Sequence, residues 1–351
     1  MIPLAGDAGK RSGVAGGDRI DLLYSDRHES SRFHRDCFGQ SGSDRTVFCR
    51  VCRNRLLTNA SFRAAGHIHQ HRETVPEGSL QVMHRFRLAL ATRYFVQPLT
   101  ASIQSAAEAN AQGVQFDIRN ELRASELSET GRRDLLHRIA EYGLTVSGAT
   151  FPLNYPLYEQ DKLDIRIAAI RDAMRFAWSL KAKTLCVRIG HIPEDAASKE
   201  RQVLVEVLCD LARYANHIGT VLAITPSNDS AETLKTLLND VQTGPIGIDF
   251  DPSQFAAKGR TVVNSLRTLH NDIVHVQLRD GYSDIDGGRE AAVGRGNVDW
   301  VETLALLGEM DYAGWLTSIR SEGNDPGYEM TQGLKFIREI LHSSFSAHGP
   351  N

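Results

Sequence analysis

Polar side chains alternate with apolar ones in the stretch VHVQLRDG, residues 274–281. Successive residues of a β-strand point to opposite faces, so one face of this stretch is apolar and the other carries His275, Gln277 and Arg279. Imidazole, amide and guanidinium groups can hold polar or charged ligands. The stretch therefore predicts a strand that packs one face against a core and presents the other to a ligand.

The same alternation places further polar side chains on the inward face of other predicted strands. In a barrel, such side chains gather at the carboxyl-terminal strand ends, which form the active-site face. They could be structural charges that pair with one another. We favour a polar ligand pocket, because converging charge is costly unless it is paired or used. Several arginines favour an anionic or hydroxyl-rich ligand, such as a sugar phosphate or a sugar acid. The predicted inward residues include Gln115, Cys186 and Asp249. Those expected at the mouth are Arg93, Asp117, Arg119, Arg188, Asp251, Gln277 and Arg279.

Short apolar runs alternate with helical patterns from Met83 onward. Eight such units predict an α/β protein, a closed (β/α)8 TIM barrel over residues 84–342. An open doubly wound sheet is the alternative, but ATRYFVQP after the first strand is not the glycine-rich phosphate turn of that fold. Gly113 and Gly143 follow two predicted helices, where glycine commonly ends a helix. The predicted strands are 86–92, 114–118, 144–149, 184–189, 221–225, 245–250, 273–279 and 314–319. The predicted helices include 100–112, 130–142, 162–181 and 299–310.

Residues 1–83 have a different texture from the rest of the chain. They hold three of the five cysteines and are rich in Arg, Ser, Gly and His, and their apolar residues show no period. We predict a poorly ordered N-terminal extension, either a tail or an over-extended translation start, and a short C-terminal tail at 343–351. Two cysteines and two histidines of the extension, in the pattern C-x2-C and H-x3-H, have the spacing of a zinc site. We favour the interpretation that they bind no zinc, because the segment around them is predicted to be poorly ordered. Those four residues are Cys49, Cys52, His67 and His71.

Composition and charge limit which classes of binding partner and which cellular compartment are expected. The net charge of −3 gives no reason to expect nucleic acid or an anionic membrane as a partner. No apolar run approaches the roughly 18 residues of a membrane span, and the first residues lack the apolar core of a signal peptide. An odd count of five cysteines suits a reducing cytoplasm. We therefore predict a cytoplasmic protein whose partner is a small sugar derivative, with no indication of its oligomeric state.

Three segments resemble motifs of the xylose isomerase-like TIM-barrel proteins, the sugar phosphate isomerase and epimerase superfamily. GIDFDPSQFAAKG resembles the sixth-strand motif, VHVQLRD the seventh-strand motif, and VGRGNVDWVETLALLGEMDYAGWLTSIR the last helix and strand. The resemblance covers roughly residues 84–341, and GRGNVDW is its most specific part. It implies that Glu, Asp, His and Glu from strands five to eight hold one divalent cation (Mn, Mg, Co or Zn). That metal would polarise the substrate while the two glutamates move a proton.

This chain departs from the implied ligand set at three of its four positions. Thr225 and Ile319 stand where the two glutamates should be. Gln277 replaces the histidine, so only Asp251 remains, and Gln254 stands where a substrate-binding histidine often follows. A single carboxylate cannot hold a catalytic divalent ion tightly, because hydroxyl and amide groups are weak, neutral ligands. We therefore predict a divergent member that has largely lost its metal site and needs no cofactor.

Two functions stay open on this evidence. The first is a metal-independent isomerase or epimerase in which Arg279 or Arg188 stabilises an enediolate, and Asp251, Asp117 or His191 moves protons. The second is a non-catalytic barrel that binds a sugar derivative or a partner protein. A zinc endonuclease of the same fold fits poorly, because that chemistry needs many more ligands and a basic face. The predicted substrate-binding residues are Arg93, Asp117, Arg119, Arg188, Thr225, Gln254, Gln277 and Arg295.

The loop VGRGNVDW has two interpretations. Its glycines can leave backbone N–H groups free to face an anion, with Arg295 beside them. Alternatively, the loop only shapes the turn into a helix that begins near Asp299, whose carboxylate is a good N-cap. We favour the structural role for Asp299 and Trp300, and both interpretations remain open for Arg295. Cys186 and Cys209 are interpreted as ordinary buried residues.

Overall fold

The structure, a computed structural model, describes residues 86–284 and 288–346 of the 351-residue chain. The strands within that part are β1 (Arg87–Ala91), β2 (Gly113–Asp117), β3 (Thr145–Thr150), β4 (Thr184–Arg188), β5 (Val221–Thr225), β6 (Ile246–Phe250), β7 (Ile273–Leu278), β8 (Asp280–Tyr282), β9 (Arg289–Ala291) and β10 (Trp315–Ser318). All except β8 and β9 pair in parallel and close into a barrel in the order β1-β10-β7-β6-β5-β4-β3-β2. The predicted (β/α)8 barrel is confirmed.

The helices between these strands cover the outside of the barrel. They are α1 (Leu99–Glu108), α2 (Glu129–Glu141), α3 (Leu163–Ser179), α4 (Lys199–Ile218), α5 (Ala231–Asp240), α6 (Pro252–Ala256), α7 (Val262–Leu269), α8 (Trp300–Glu309) and α9 (Pro326–Ser346). Several begin at a serine whose hydroxyl accepts a hydrogen bond from a backbone N–H of the first turn, as Ser128, Ser198 and Ser230 do. Such caps satisfy donors that have no partner inside the helix.

The alternation of apolar residues along the strands explains why the barrel closes. Leu90, Phe116, Leu185 and Ile248 are each 0% exposed, and they belong to the continuous apolar core that also includes helix residues. Burial of one such side chain contributes about 1.5–3 kcal/mol relative to leaving it in water. The residues between them in sequence point into the barrel, which is how the strands set the positions of the polar groups described below.

One of the two predicted glycine helix ends is wrong in detail. Gly143 has φ +70°, as a glycine that ends a helix should. After α1, however, Asn110 takes the left-handed conformation with φ +56°. Gly113 instead lies inside β2, where a Cβ would approach the Trp315 ring to 2.7 Å. The glycine at this position is required by close packing rather than by chain reversal.

The hairpin of β8 and β9 was not predicted. It is an antiparallel pair inserted between β7 and α8, in the register Asp280 with Ala291 and Tyr282 with Arg289. Among the described helices, none combines the length and the apolar character that crossing a membrane requires. The predicted extension at 1–83, its four zinc-spaced residues and the end of the C-terminal tail lie outside the described residues.

Candidate functional site at the barrel mouth

A cavity of ≈ 170 Å³ opens at the carboxyl-terminal ends of the barrel strands. Tyr94 also lines it, and burial raises the pKa of this phenol, so its hydroxyl stays protonated and able to donate. Ile319 supplies an apolar wall. Six of the predicted site residues line the cavity: Arg93, Asp117, Arg188, Thr225, Gln277 and Arg279.

A fully buried carboxylate, Asp249, organises the inner end of the cavity. It accepts hydrogen bonds from His275 Nδ1 at 2.6 Å and from Thr225 Oγ1 at 2.6 Å, and Gln277 Nε2 donates to its second oxygen. Burial alone would raise the pKa of Asp249, but the attraction of His275 and these hydrogen bonds outweigh it and lower the pKa. The Gln277 amide and the Thr225 hydroxyl, which line the cavity, are therefore held in place by their hydrogen bonds to Asp249.

Cys186 lies beside this network and also lines the cavity. Burial, together with the nearby Asp249 carboxylate, raises the pKa of the Cys186 thiol well above its usual value. The thiol is therefore protonated and weakly nucleophilic unless a cation approaches it.

A chain of ion pairs crosses the rim of the mouth. Arg279 donates from Nη1 to Asp251 at 2.8 Å and from Nε to Glu290 at 3.1 Å, and Glu290 also lies 3.5 Å from Arg320. Burial would lower the pKa of Arg279, but Asp251 and Glu290 outweigh it and raise the pKa above its usual value. The guanidinium is thus a permanent, immobilised charge between two buried carboxylates.

Asp251 is fully engaged on both of its oxygens. Besides the contact from Arg279, it accepts hydrogen bonds from Ser253 N at 3.1 Å and from Ser253 Oγ at 2.5 Å. It is the N-cap of the short helix α6 and is 0% exposed. These contacts fix the carboxylate and leave it without a free side toward solvent.

The other arginines of the mouth differ in how far they are neutralised. Arg93 lies 3.6 Å from Asp117 and keeps half of its side chain exposed. Asp117 itself accepts hydrogen bonds from the backbone of Arg119 and from Asn120. Arg188 is exposed, and no described residue forms a hydrogen bond or an ion pair with its side chain. Arg188 is therefore a cation that a ligand can neutralise.

Several predicted site residues do not line this cavity. His191 pairs with Asp229 at 2.7 Å and is 62% exposed. Arg119 points to the Pro152 carbonyl, and Gln254 is half-buried within α6. Arg295 is exposed and lines a separate outer groove beside α9.

The loop VGRGNVDW is held by one buried side chain, Asp280. Its carboxylate accepts hydrogen bonds from Gly281 N at 2.8 Å, Val298 N at 3.1 Å, Gly294 N at 2.9 Å and Trp300 Nε1 at 3.0 Å. The predicted N-cap is confirmed, because the Asp299 side chain accepts from Glu302 N. The backbone N–H of Gly294 thus faces a carboxylate of the protein itself.

Glu290, Gln115 and Tyr94 are site residues that the sequence did not single out for a ligand role. Glu290 lies on the unpredicted β9, so nothing in its local pattern placed it beside Arg279. Gln115 was assigned to the inward face only as part of its strand. Tyr94 ends a short 3-10 turn after β1, where the alternation of the strand no longer applies.

A family model described as the xylose isomerase-like TIM barrel matches residues 103–340. This chain belongs to the xylose isomerase-like TIM barrel family. Among curated proteins, an uncharacterized protein of Methanocaldococcus jannaschii is 26% identical over 197 residues, which is 51% of this chain and 64% of that protein. The chain therefore spans less than two thirds of the length of that relative.

Solved structures share the fold. A xylose isomerase domain protein from Planctomyces limnophilus superposes with a TM-score of 0.65 at 18% identity, covering 75% of this chain and 98% of that chain. A D-psicose 3-epimerase with D-tagatose, from Clostridium cellulolyticum H10, gives a TM-score of 0.60 at 15% identity, covering 73% and 99%. At these identities the similarity shows a shared barrel fold, which is a fold that sugar epimerases also have.

Proposed function

We propose that the chain binds a small anionic sugar derivative at the barrel mouth. The observation that carries this proposal is Arg188, an exposed guanidinium at a concave site with no partner among the described residues. A planar guanidinium holds a carboxylate or a phosphate through two parallel hydrogen bonds. Arg93, half exposed, adds a second positive group on the same cavity.

The remaining groups of the cavity suit the hydroxyls of such a ligand. Tyr94 offers a donor, and the Gln277 amide keeps its oxygen free as an acceptor while its nitrogen donates to Asp249. The cavity of ≈ 170 Å³ is small, since drug-sized ligands occupy roughly 300–1,000 Å³. A short sugar acid or a small sugar phosphate therefore fits the proposal better than a disaccharide. A D-psicose 3-epimerase with the same fold holds D-tagatose, which supports a sugar as the ligand, whereas the anionic group is inferred from Arg188 alone.

The divalent cation that the family resemblance implies does not fit the residues at its four positions. Ile319 offers no donor atom, and Thr225 Oγ1 is committed to Asp249. Asp251, the one carboxylate of the set, is occupied by Ser253 and Arg279. We infer that the guanidinium of Arg279 supplies positive charge where the family places its metal. A fixed guanidinium can stabilise an anion, but it cannot exchange its ligands as a metal does.

The same contacts favour binding over isomerisation. A proton shuttle needs an acid or base within hydrogen-bond reach of the ligand. Asp251 is enclosed, and His191 is paired with Asp229 away from the cavity. Asp117 faces the cavity, but its oxygens already accept hydrogen bonds from Arg119 and Asn120. We therefore propose ligand binding as the function, with metal-independent isomerisation as the alternative outcome of the experiment below.

The test is a calorimetric titration of the full chain with sugar acids, sugar phosphates and the corresponding neutral sugars. We expect anionic members to bind and neutral ones to bind far more weakly. Arg188→Met should weaken the best anion by about 10–100-fold, because hydrogen bonds to charged groups contribute about 1.5–3 kcal/mol. The control is Arg175→Met, which removes an exposed arginine on α3 that pairs with Asp172.

Two results would overturn the proposal. Neutral sugars could bind as tightly as the anions, or Arg188→Met could leave the affinity unchanged. Product analysis of the same mixtures by NMR addresses turnover. Conversion of the bound sugar into an isomer without added metal would replace the binding function by the isomerase alternative.

A further inference from the structure

Three side chains that can ligate metals lie together at the inner end of the mouth cavity. The donor atoms of Cys186, Asp249 and His275 all lie within 4.8 Å of one another, and all three residues are buried. They come from β4, β6 and β7, one layer further into the barrel than the strand ends. None of them stands at a position that the family resemblance assigns to its cation, namely Thr225, Asp251, Gln277 and Ile319.

His275 is oriented in the way that metal-binding histidines usually are. Its Nδ1 lies 2.6 Å from Asp249 Oδ1. A carboxylate that accepts the Nδ1 proton fixes the tautomer and leaves the Nε2 lone pair for a ligand on the far side of the ring. On that side, Nε2 accepts a hydrogen bond from Thr317 Oγ1 at 2.8 Å, which a bound cation would replace, and it lies 3.4 Å from the Gln115 amide nitrogen.

The Gln115 amide supplies an independent observation. Its side chain is 1% exposed, and its Oε1 is a buried oxygen with no hydrogen-bond partner among the described residues. The amide nitrogen points into the cluster, 3.9 Å from Cys186 Sγ and 3.4 Å from His275 Nε2. The two ends of an amide are alike in shape, so half a turn of the group places Oε1 between the thiol and the imidazole. A buried acceptor without a partner is costly, and a cation at this point would satisfy it.

We propose that Cys186 Sγ, His275 Nε2 and Gln115 Oε1 bind one soft divalent cation, such as Zn²⁺, at the floor of the mouth cavity. Sulfur and imidazole nitrogen are the ligands that such a cation prefers. On binding, the thiol gives its proton to solvent as the sulfur–metal bond forms. The thiolate and the Asp249 carboxylate then balance the two positive charges.

The dimensions of the cluster allow this arrangement. Around a tetrahedral zinc with bonds of about 2.0–2.3 Å, ligand atoms lie roughly 3.3–3.8 Å apart. After the half turn, Gln115 Oε1 takes the place of the amide nitrogen, 3.9 Å from Cys186 Sγ and 3.4 Å from His275 Nε2, which is close to these spacings. Cys186 and Gln115 both line the mouth cavity, so a fourth coordination position faces it. This inference is independent of the anion-binding function, which rests on Arg188.

The experiment uses a full-length chain whose only thiol is Cys186, made by the substitutions Cys37→Ala, Cys49→Ala, Cys52→Ala and Cys209→Ala. Cys209 lies on α4, outside the barrel, and the other three cysteines lie outside the described residues. Cobalt(II) is the probe, because a cobalt–thiolate bond gives a charge-transfer absorption that oxygen and nitrogen ligands lack. We expect one equivalent of cobalt to produce this absorption and one equivalent of Zn²⁺ to abolish it.

Single variants locate the ligands. Cys186→Ala should remove the absorption, whereas Cys209→Ala, a matched loss of a thiol on α4, should keep it. Gln115→Met, which retains the length of the side chain without its oxygen, should weaken cobalt binding by about tenfold or more, within the usual range for perturbed metal sites. If Cys186→Ala does not fold, the chain with Cys186 alone decides the matter.

The proposal is overturned if the chain with Cys186 alone shows no thiolate absorption at saturating cobalt. It is equally overturned if Cys186→Ala keeps the absorption of the parent chain while Cys49→Ala/Cys52→Ala loses it. In either case the cluster is a hydrogen-bond network in which the Gln115 oxygen, after the half turn, accepts from the Cys186 thiol.

Discussion

Asp280 is the residue on which the most specific sequence motif of the chain depends. Its two oxygens accept hydrogen bonds from three backbone N–H groups and from the indole of Trp300, and it is 0% exposed. The side chain therefore joins the end of β7 to the start of α8. This structural role accounts for Asp280, the acidic residue that follows VHVQLR, and no catalytic role is needed to explain it.

Asp280→Asn should destabilise the protein by at least about 2 kcal/mol, because an amide turns donors toward N–H groups that then lose their acceptors. Urea unfolding of the full chain measures the change. Asp299→Asn in the same loop is the control, and it should cost little because asparagine caps a helix about as well as aspartate. Equal losses in the two variants would show that Asp280 has no special role.

Arg279 holds two buried carboxylates together. Its removal in Arg279→Met leaves Asp251 and Glu290 without their shared partner, and breaking a buried pair in this way costs about 3–5 kcal/mol. Urea unfolding should show this loss, and Arg279→Met/Glu290→Gln should recover part of it. The exposed-site control Arg175→Met should stay within about 0.5 kcal/mol of the parent. A stability of Arg279→Met equal to that control would mean that the rim charges are solvated rather than paired.

At the scale of elements, the strands were predictable and the hairpin was not. The period of two in β2, β4, β6 and β7 fixes which side chains point inward, and this is why most of the mouth residues could be predicted from the sequence. The hairpin of β8 and β9 has three residues in each strand, which is too few to show the alternation of apolar and polar residues that identifies a strand. Glu290 was missed for this reason, because its place beside Arg279 depends on how that hairpin folds back.

The helix ends give a prediction of their own. Ser198 begins α4, and its hydroxyl accepts a hydrogen bond from Arg201 N at 3.2 Å. Ser198→Ala should therefore destabilise the protein by about 1 kcal/mol in urea unfolding. Thr261 stands at the same position before α7 but makes no such bond, so Thr261→Ala is the matched control and should cost less. A larger loss for Thr261→Ala would contradict the capping account.

At the scale of the whole molecule, closure of the barrel is what creates the site. Arg188 ends β4, while Arg279 follows β7 and Arg93 follows β1. They line one cavity only because the closed barrel arranges its strand ends in a ring. The sequence pattern could predict the inward direction of each side chain but not its pairing. That Asp251 is enclosed while Arg188 is free follows from contacts between distant strands.

The pH dependence of folding also belongs to this scale. Burial, the largest cause, raises the pKa of Glu121 from 4.5 to about 7, against the opposing hydrogen bonds from Thr92 and from the Asp117 backbone. The folded chain therefore holds a proton that the unfolded chain loses as pH rises from about 4.5 to about 7. The resulting stability is present at the low end of this window and is lost as pH rises through the folded pKa.

Glu121→Gln should remove this dependence. Relative to the parent chain, the variant should become more stable, with a larger free energy of unfolding, as pH rises from about 5 to about 8. Urea unfolding across that range measures the difference. Glu129→Gln, which removes an exposed carboxylate from α2, serves as the control and should show no comparable trend. A constant difference between Glu121→Gln and the parent would contradict a shifted Glu121.

The central claim is that an arginine, and not a divalent metal, holds the anion at the barrel mouth. The measurement is the affinity of the full chain for its best sugar anion, titrated with the protein as purified and again with excess Mg²⁺ or Mn²⁺. These hard cations prefer oxygen ligands and should not enter a site built from a thiol and an imidazole. The account predicts the same affinity in all conditions and a loss of about 10–100-fold in Arg188→Met. Binding that appears only with Mg²⁺ or Mn²⁺ and ignores Arg188 would contradict it.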